Sequence, residues 1–416
     1  MKLRNLFLAS LAICAMTSCS KDEDGPSGPQ EMDAYFSIAA SAGDLVTKAS
    51  VEGNSEAGEA TEQAVKTLTA FVFKGGNDVT DEDATLVISK KVTLSDGDAV
   101  VGTVPKSEEQ TITAIKHIHV KVATPEKGAT TSATQFQVVL VANTDISATS
   151  LADLKAKSTP DIKQYAVDGG KNLPMSSAVL TLKGLTPYTA EAHNSNWYVD
   201  NSSVALEEDD ASLVMLTRAI SRVQIESLSS DFKGQYAGAS FVVDFISLVN
   251  VRATETIMRE ENTTAGYYRG GLAQYEVIDG LINPNSTSIP AICSFLKEYR
   301  TDNVISGNPI TTFSNFKSYM YVNNPSEEND NTHTRLIISG HLFLSDGKDM
   351  GVKYFHIPLK DENGDNVVNN KIYKIVATIT GEGNPDPDEI LDNACLSFKI
   401  QVENWHVVRQ TEDDLN

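Results

Sequence analysis

The sequence is poor in cysteine, which limits how the protein can be stabilised. Its 416 residues include four cysteines, and Cys14 and Cys19 lie near the N-terminus. Cys293 and Cys395 are left for the rest of the chain. Two cysteines do not make a disulfide framework in a chain of this length, and the sequence leaves open whether they pair. Stability must therefore come from packing and strand pairing.

Catalytic and metal-binding motifs are also missing. The chain has no G-x-S-x-G, P-loop, H-E-x-x-H or C-x-x-C motif, and no G-x-G-x-x-G after a strand. His117 and His119 share a predicted strand face, but zinc needs a third ligand, so we interpret them as exposed strand residues. Residues 361–366 resemble a calcium loop only in part, and we predict a hairpin turn. We predict no enzyme activity, cofactor or metal site.

Basic residues are outnumbered. The chain has 34 lysines and arginines against 56 acidic residues, a net charge of −22. This charge argues against nucleic acid and anionic lipid surfaces as partners. Beyond Met16, no stretch is long and apolar enough to span a bilayer. The length is sufficient for two domains with separate cores.

The N-terminus has the pattern of a targeting segment. Lys2 and Arg4 precede an apolar run, and the small residues Thr17 and Ser18 come directly before Cys19. This arrangement resembles a bacterial lipobox, in which the cysteine is lipidated and becomes the new N-terminus. The alternative is an ordinary secretory signal that contains a cysteine. We interpret residues 1–19 as a lipoprotein signal peptide whose lipid, on Cys19, anchors the precursor to a membrane.

Most of the chain is predicted to form short strands. Alternating apolar runs recur with turn residues between them at roughly ten-residue spacing, which is typical of β-sandwiches. One helix is predicted, over Ser150–Gln164. The polar, acidic segment Asn194–Ser212 is the best boundary between two halves. We therefore predict an all-β protein with β-sandwich domains at 49–212 and 213–389, the first containing a short helix.

A well-patterned strand stands at the end of the chain, in residues 390–416. Apolar and polar residues alternate there, as in a strand with one buried face, and the apolar ones are Leu396, Phe398, Ile400 and Val402. The preceding Gly381–Asp388 cannot continue a strand or a helix. This strand either folds back to close its own sheet or is donated to another chain.

A second strand-like run, Ala34–Ala40, lies near the other end. It leads to a polar, acidic and Gly-rich segment at 51–62, which we expect to be exposed. Lys48 in this setting is a natural site for a trypsin-like protease, with cleavage between Lys48 and Ala49. The alternative is a plain surface lysine in a linker.

Four segments, in this order, resemble the fimbrillin family of Bacteroidetes, the FimA/Mfa-type (type V) pilins. They are Pro-Met-Ser within Leu173–Ser176, Leu-x-Arg-x-x-x-Arg within Leu216–Val223, Asn-x-x-Tyr to Gly-x-Gly within Asn370–Gly383, and Trp-x-Val-x-x-Gln within Trp405–Gln410. The lipoprotein signal is also similar. No single motif carries the resemblance; the order of the four and the two chain ends do.

The resemblance implies two transthyretin-like, Greek-key β-sandwich domains and a route of assembly. A trypsin-like protease would remove the propeptide, residues 20–48, with its first strand. The best-known members are cut after arginine, whereas this chain has Lys48. The vacated groove would accept the donor strand of a neighbour, here Leu396, Phe398, Ile400, Val402 and Trp405.

We therefore expect a structural pilin that assembles head to tail with copies of itself or related pilins and serves adhesion or biofilm formation. Its precursor would sit on the outer membrane and its mature form in an extracellular fimbrium. The alternative is a monomeric surface lipoprotein, or a fimbrial tip or anchor protein, that binds a glycan or protein on a host or bacterial surface. Trp197–Tyr198 is the one hint of a sugar platform.

Overall fold

Strands dominate the computed structural model of the chain. It describes residues 30–42, 44–46, 55–75, 82–168, 170–188, 195–198, 205–206, 213–259, 267–268, 277–278, 281–282, 299–307, 316–323, 333–360, 367–387 and 395–408. The predicted all-β class is confirmed. The strands of the first half are β1 (Glu31–Ala42), β2 (Asp44–Val46), β3 (Ser55–Ala57), β4 (Thr67–Lys74), β5 (Thr85–Thr93), β6 (Ala99–Thr103), β7 (Gln110–Ala123), β8 (Phe136–Ala142), β9 (Met175–Ser176), β10 (Leu180–Leu182), β11 (Ser195–Tyr198), β12 (Ala205–Leu206) and β13 (Val214–Arg218).

The second half contributes the same number of strands. They are β14 (Ser221–Ser230), β15 (Ser240–Val249), β16 (Val251–Arg252), β17 (Tyr267–Tyr268), β18 (Val277–Ile278), β19 (Leu281–Ile282), β20 (Tyr299–Arg300), β21 (Val304–Ile305), β22 (Lys317–Met320), β23 (Arg335–Phe343), β24 (Asp349–Pro358), β25 (Lys371–Ile379) and β26 (Leu396–Val408). The element pattern is that of a sandwich protein, in which sheets bury one face against each other.

The first half forms an 11-stranded sheet whose main path runs β12-β11-β1-β13-β9-β8-β4-β5. Strand β7 pairs with the other side of β1 and with β6, and β10 pairs with β8. Strand β1 is therefore an interior strand, with hydrogen-bonded neighbours on both sides. Most of its residues are buried, as expected for a strand without a free edge.

The second half contains two larger sheets and one small one. One sheet runs β2-β26-β25-β14-β22 with β3 on β26, and another runs β20-β15-β23-β24 with β21 on β15. Strands β16, β17, β19 and β18 form the small sheet. Apolar residues of β14, such as Val223, and of β15, such as Phe241, belong to one core that extends into the first half.

Three short helices complete the described residues: α1 (Ala60–Gln63), α2 (Leu151–Lys155) and α3 (Ile162–Asp168), together with a 3-10 turn at Gly234–Tyr236. The single helix predicted over Ser150–Gln164 is wrong, because the segment forms α2 and the start of α3. Pro160 lies between them and lacks the N–H that a continuous helix requires. None of these described helices has the length and apolar character that crossing a bilayer requires.

The predicted boundary between residues 212 and 213 also needs correction. Strand β13 pairs with β1 and β9, so it belongs to the first-half sheet. Strands β11 and β12, within the polar segment that suggested the boundary, extend the same sheet. The chain changes sheets after Arg218, since β14 pairs with β22 and β25. Polar composition marked the wrong point because two short strands that contain apolar residues, such as Trp197 and Leu206, interrupt the polar segment.

Candidate functional site: the strands at the two chain ends

Strand β1 fills a groove that runs through the first-half sheet. It is longer than the predicted Ala34–Ala40. Phe36 pairs with Ile118 of the antiparallel β7 and with Asn196 of the parallel β11. Ala40 pairs with Val214 of β13. The inward residues are fully or almost fully buried in the core: Ala34, Phe36, Ile38, Ala40 and Ala42. Removing β1 would therefore open both a core face and two rows of backbone groups.

The start of β1 is also held to β7 by charge. The Asp33 carboxylate lies 2.7 Å from Nε2 of His119 and 2.5 Å from Nζ of Lys121. The ring of Tyr35 stacks on His119 with centroids 4.9 Å apart. The bond from Lys121, and then that from His119, lowers the pKa of Asp33 below its usual 3.8. His117, in a left-handed conformation, contacts a different carboxylate, so the two histidines do not converge.

Strand β26 lies in a sheet of its own chain. It runs antiparallel to β25, from Leu396 opposite Ile379 to Asn404 opposite Lys371. Of the predicted donor residues, Leu396 and Val402 are buried, and the remaining apolar pair, Phe398 and Ile400, is partly buried against the core. In the single chain, the C-terminal strand thus takes the first of its two alternatives and completes its own sheet.

Two short N-terminal strands hold the last part of β26. Strand β2 pairs in parallel with residues 406–408, and β3 pairs in parallel with residues 404–406. In sequence, these strands precede and follow the predicted cleavage site. Lys48 and Ala49 themselves lie outside the described residues, as does Cys19. The two sides of the predicted cut are therefore both attached to the C-terminal strand.

Trp405 anchors β26 in a buried pocket. Its ring centre lies 4.7 Å from the guanidinium carbon of Arg218 and 5.4 Å from that of Arg222, the geometry of cation–π contacts. The Trp405 backbone N–H donates to the Asn370 carbonyl at 3.3 Å. Gly58 closes the pocket, because a Cβ at that position would overlap the indole nitrogen. Trp405 is the most completely enclosed residue of the predicted donor strand.

Glu62 balances one of the two positive charges in this pocket. Its Oε2 accepts a hydrogen bond from Nη1 of Arg222 at 2.6 Å, and its Oε1 accepts one from the Tyr319 hydroxyl at 2.6 Å. The Glu62 carbonyl accepts from Nε of Arg218 at 3.2 Å. Burial, with the adjacent Glu62 charge, raises the pKa of Tyr319 far above its ordinary value. The attraction within a buried ion pair of this kind offsets the cost of desolvation only when such hydrogen bonds complete it.

The four motif segments meet at Arg218. Its backbone pairs with Met175, its Nη1 donates to Oδ1 of Asn370 at 3.3 Å, and its guanidinium covers Trp405. The sequence therefore supplied the arginines and the tryptophan but not their contact. It missed Gly58 and Glu62, because residues 51–62 have the composition of an exposed linker, and it missed the contact of Tyr319 of β22 with Glu62. Buried Glu62 overturns that expectation.

Comparison with known proteins finds a family match over the first-half sheet. Residues 34–218 match the family described as "Major fimbrial subunit protein (FimA)". Over these residues, the chain is similar to the FimA family. The match ends at Arg218, where the chain leaves the first-half sheet.

Individual relatives are distant but consistent. The protein named "Putative fimbrium tip subunit Fim1C" of Parabacteroides distasonis is 26% identical over 256 residues, 60% of this chain and 58% of that protein. The match thus spans less than two thirds of that relative's length. The solved fimbrilin (FimA) of Porphyromonas gingivalis superposes with a TM-score of 0.58 at 19% identity, covering 91% of this chain and 99% of that one. A "putative cell adhesion protein" of P. distasonis gives 0.59 at 17%, covering 91% and 99%.

Proposed function

We propose that this chain is a structural subunit of a surface fimbria that is exported as a lipoprotein, trimmed between Lys48 and Ala49, and polymerised by strand donation. The match to the FimA family over residues 34–218 supports a fimbrial subunit located at the cell surface. The proposed trimming and strand donation rest on one observation: β1 and β2 both lie on the N-terminal side of the predicted cut. Strand β1 occupies the groove that a donated strand would need, and β2 is paired with β26, the proposed donor.

The groove of β1 suits a donated strand. Without β1, backbone groups of β7, β11 and β13 would lose their partners, and unpaired sheet edges accept added strands. The side chains also correspond, since Phe36 and Ile38 are the large inward residues of β1 and Phe398 and Ile400 have the same spacing in β26. We propose that Phe398 takes the place of Phe36. Burying four apolar donor residues from water gives roughly 6–12 kcal/mol before ordering costs, and only the part beyond what their own sheet already buries favours donation.

Trimming would also loosen the donor. A cut between β2 and β3 leaves β2 on the removed piece, so residues 406–408 of β26 would lose that neighbour. Trp405 would still have to leave its pocket between Arg218 and Arg222. A partner groove that buries more of the strand than its own sheet does would supply the driving force. Head-to-tail donation that does not close into a ring then produces a filament.

A second candidate is a monomeric surface lipoprotein, or a fimbrial tip or anchor protein, that binds a glycan or protein. The pairing of β26 within its own sheet favours it, as does the tip-subunit relative. In this case, β26 stays in place. The sequence suggested Trp197–Tyr198 as a sugar platform in a polar loop. These residues belong to β11 beside β1, so they no longer support this candidate.

Trypsin treatment of the purified full-length precursor separates the two candidates. We expect cleavage at Lys48 to be followed by SDS-resistant ladders, and expect neither with Lys48→Ala. Deleting residues 390–416 should leave cleavage intact and abolish the ladders. Ladders that survive the deletion would rule out donation by β26, and complete cleavage of the intact chain without ladders would favour the second candidate.

A further inference from the structure

We propose that three basic residues at the start of the groove filled by β1 select the acidic segment that precedes β26 in a neighbouring subunit. These residues are Lys74, His119 and Lys121, and we call them the basic entrance. Their contact with the acidic segment would set the direction in which the donated strand enters. The inference rests on the proposed strand donation and names the charged residues that guide the donor.

In the single chain, two carboxylates of β1 occupy the basic entrance. The Asp33 carboxylate contacts His119 and Lys121, as described above. Oε1 of Glu31 lies 3.5 Å from Nζ of Lys74. All five side chains are between 43% and 53% exposed, so a second chain can reach them. Both carboxylates belong to the proposed propeptide, so trimming would remove them and leave the three basic residues in place.

A neighbouring charged group of β7 shows the opposite arrangement. Nδ1 of His117 lies 2.9 Å from Oδ1 of Asp98, and Nζ of Lys90 lies 2.7 Å from Oδ2 of the same carboxylate. Asp98 comes directly before β6, so trimming would not affect this group. The basic entrance, in contrast, would become a local positive charge on a chain of net charge −22. Such a charge attracts acidic segments and steers their approach.

The strand pairing of the groove favours one direction of entry. Strand β1 runs antiparallel to β7 and parallel to β11 and β13. Parallel and antiparallel ladders have different hydrogen-bond patterns, so only a donor that runs in the direction of β1 restores all three. With Phe398 in the place of Phe36, Leu396 takes the place of Ala34. The chain before β26 then leaves the groove at the basic entrance.

The chain before β26 carries the carboxylates that the basic entrance would need. Three acidic residues stand within the eight positions before Leu396, namely Asp388, Glu389 and Asp392. The sequence alone places them, since residues 388–394 lie outside the described part of the chain. In the register above, Asp392 lies one position before the place of Glu31 and three before that of Asp33. Three positions span about 10 Å, which is about the Debye length at 0.1 M salt.

Zero-length cross-linking tests the contact and the direction together. A carbodiimide joins a carboxylate to a lysine that touches it. It is applied to the ladders formed by the trimmed full-length protein, and mixing ¹⁵N-labelled with unlabelled protein identifies links between subunits. We expect mass spectrometry to find Asp392 or Glu389 joined to Lys74 or Lys121. Links from these lysines to Glu403 instead, or no link to the acidic segment, would overturn the proposal.

Charge-neutral variants of the donor test whether the contact guides assembly. The donor variant is Asp388→Asn/Glu389→Gln/Asp392→Asn, which leaves the groove unchanged. The matched control is Glu412→Gln/Asp413→Asn/Asp414→Asn, which removes the same charge after β26. At about 50 mM salt, we expect ladders to form about fivefold more slowly in the donor variant and within about twofold of the native rate in the control. The difference should disappear at about 500 mM salt. Equal rates in the two variants would overturn the proposal.

The acceptor side is tested with Lys121→Gln. This substitution also loosens β1 through Asp33, so release of the β1 peptide is followed separately by chromatography. Combined with the donor variant, it should slow assembly by less than the product of the two separate effects, because both remove the same contact. Full multiplication of the effects would contradict the contact. A native chain that forms no ladders would overturn strand donation and this inference together, whereas equal ladder rates in all variants would overturn this inference alone.

Discussion

The guanidinium carbon of Arg218 lies 4.7 Å from the centre of the Trp405 ring, so the last residue of the first-half sheet holds the end of the C-terminal strand. Arg222 contacts the same ring from the next strand, and Glu62 balances its charge. The pocket thus joins three distant segments of the chain. Its residues determine how firmly β26 stays in its own sheet.

Trp405→Ala should destabilise the second half by about 3–5 kcal/mol, because it empties a pocket that the ring fills completely. Denaturant unfolding measures the free energy. Val376→Ala, at a 40% exposed position on the neighbouring β25, is the matched control and should cost within about 1 kcal/mol. Equal losses in the two variants would contradict the anchoring role of Trp405.

Gly58→Ala should destabilise the protein by about 1–3 kcal/mol, because the added methyl group overlaps the indole nitrogen of Trp405. The same substitution at Gly97, where a methyl group would meet nothing within 4 Å, should be close to neutral. Thermal unfolding compares the two. The Trp405 side chain should also become more exposed in Gly58→Ala, as read by fluorescence in a Trp197→Phe background.

Glu62→Gln should cost about 3 kcal/mol or more, because it leaves the buried guanidinium of Arg222 without its carboxylate. Glu82→Gln breaks a surface pair with Lys155 and should change the unfolding free energy by less than about 1 kcal/mol. Denaturant titrations at neutral pH measure both. A small effect of Glu62→Gln would mean that Arg222 does not depend on this ion pair.

Acid should weaken the attachment of β1 through Asp33. Its pKa is lowered by Lys121 and His119, so the ionised form is favoured in the folded protein. The resulting stability is present above its ordinary pKa of 3.8 and is lost as the pH falls through the lower folded value. The difference in unfolding free energy between the native chain and Asp33→Asn should therefore be constant above about pH 5 and shrink toward about pH 2. A difference that does not change with pH would exclude this contribution.

Alternation made both terminal strands predictable. The alternate apolar positions indicate a buried face in each strand: Phe36 and Ile38 in one, Phe398 and Ile400 in the other. The same alternation could not tell whether β26 completes its own sheet or another, since the buried face is identical in the two cases. That choice depends on Trp405, whose partners lie far away in sequence.

Composition was less informative than alternation. The acidic, Gly-rich stretch before β4 looked like a linker, but Glu62 is buried there because Arg222 and Tyr319 pair with it. Pairing over such distances leaves no local pattern. The division of the predicted helix, in contrast, was readable from Pro160, whose effect on a helix is local.

The interior position of β1 has a consequence for the order of folding. Strand β1 is synthesised before its neighbours β11 and β13. Ala40 can therefore pair with Val214 only after more than half of the chain has been made. Contacts between such distant residues close slowly, whereas β23 and the adjacent β24 can pair as soon as both exist. The second side of β1 is thus completed only when β13, about half-way along the chain, has been made. Until then, this side of β1 is an open sheet edge, the kind of surface that chaperones cover.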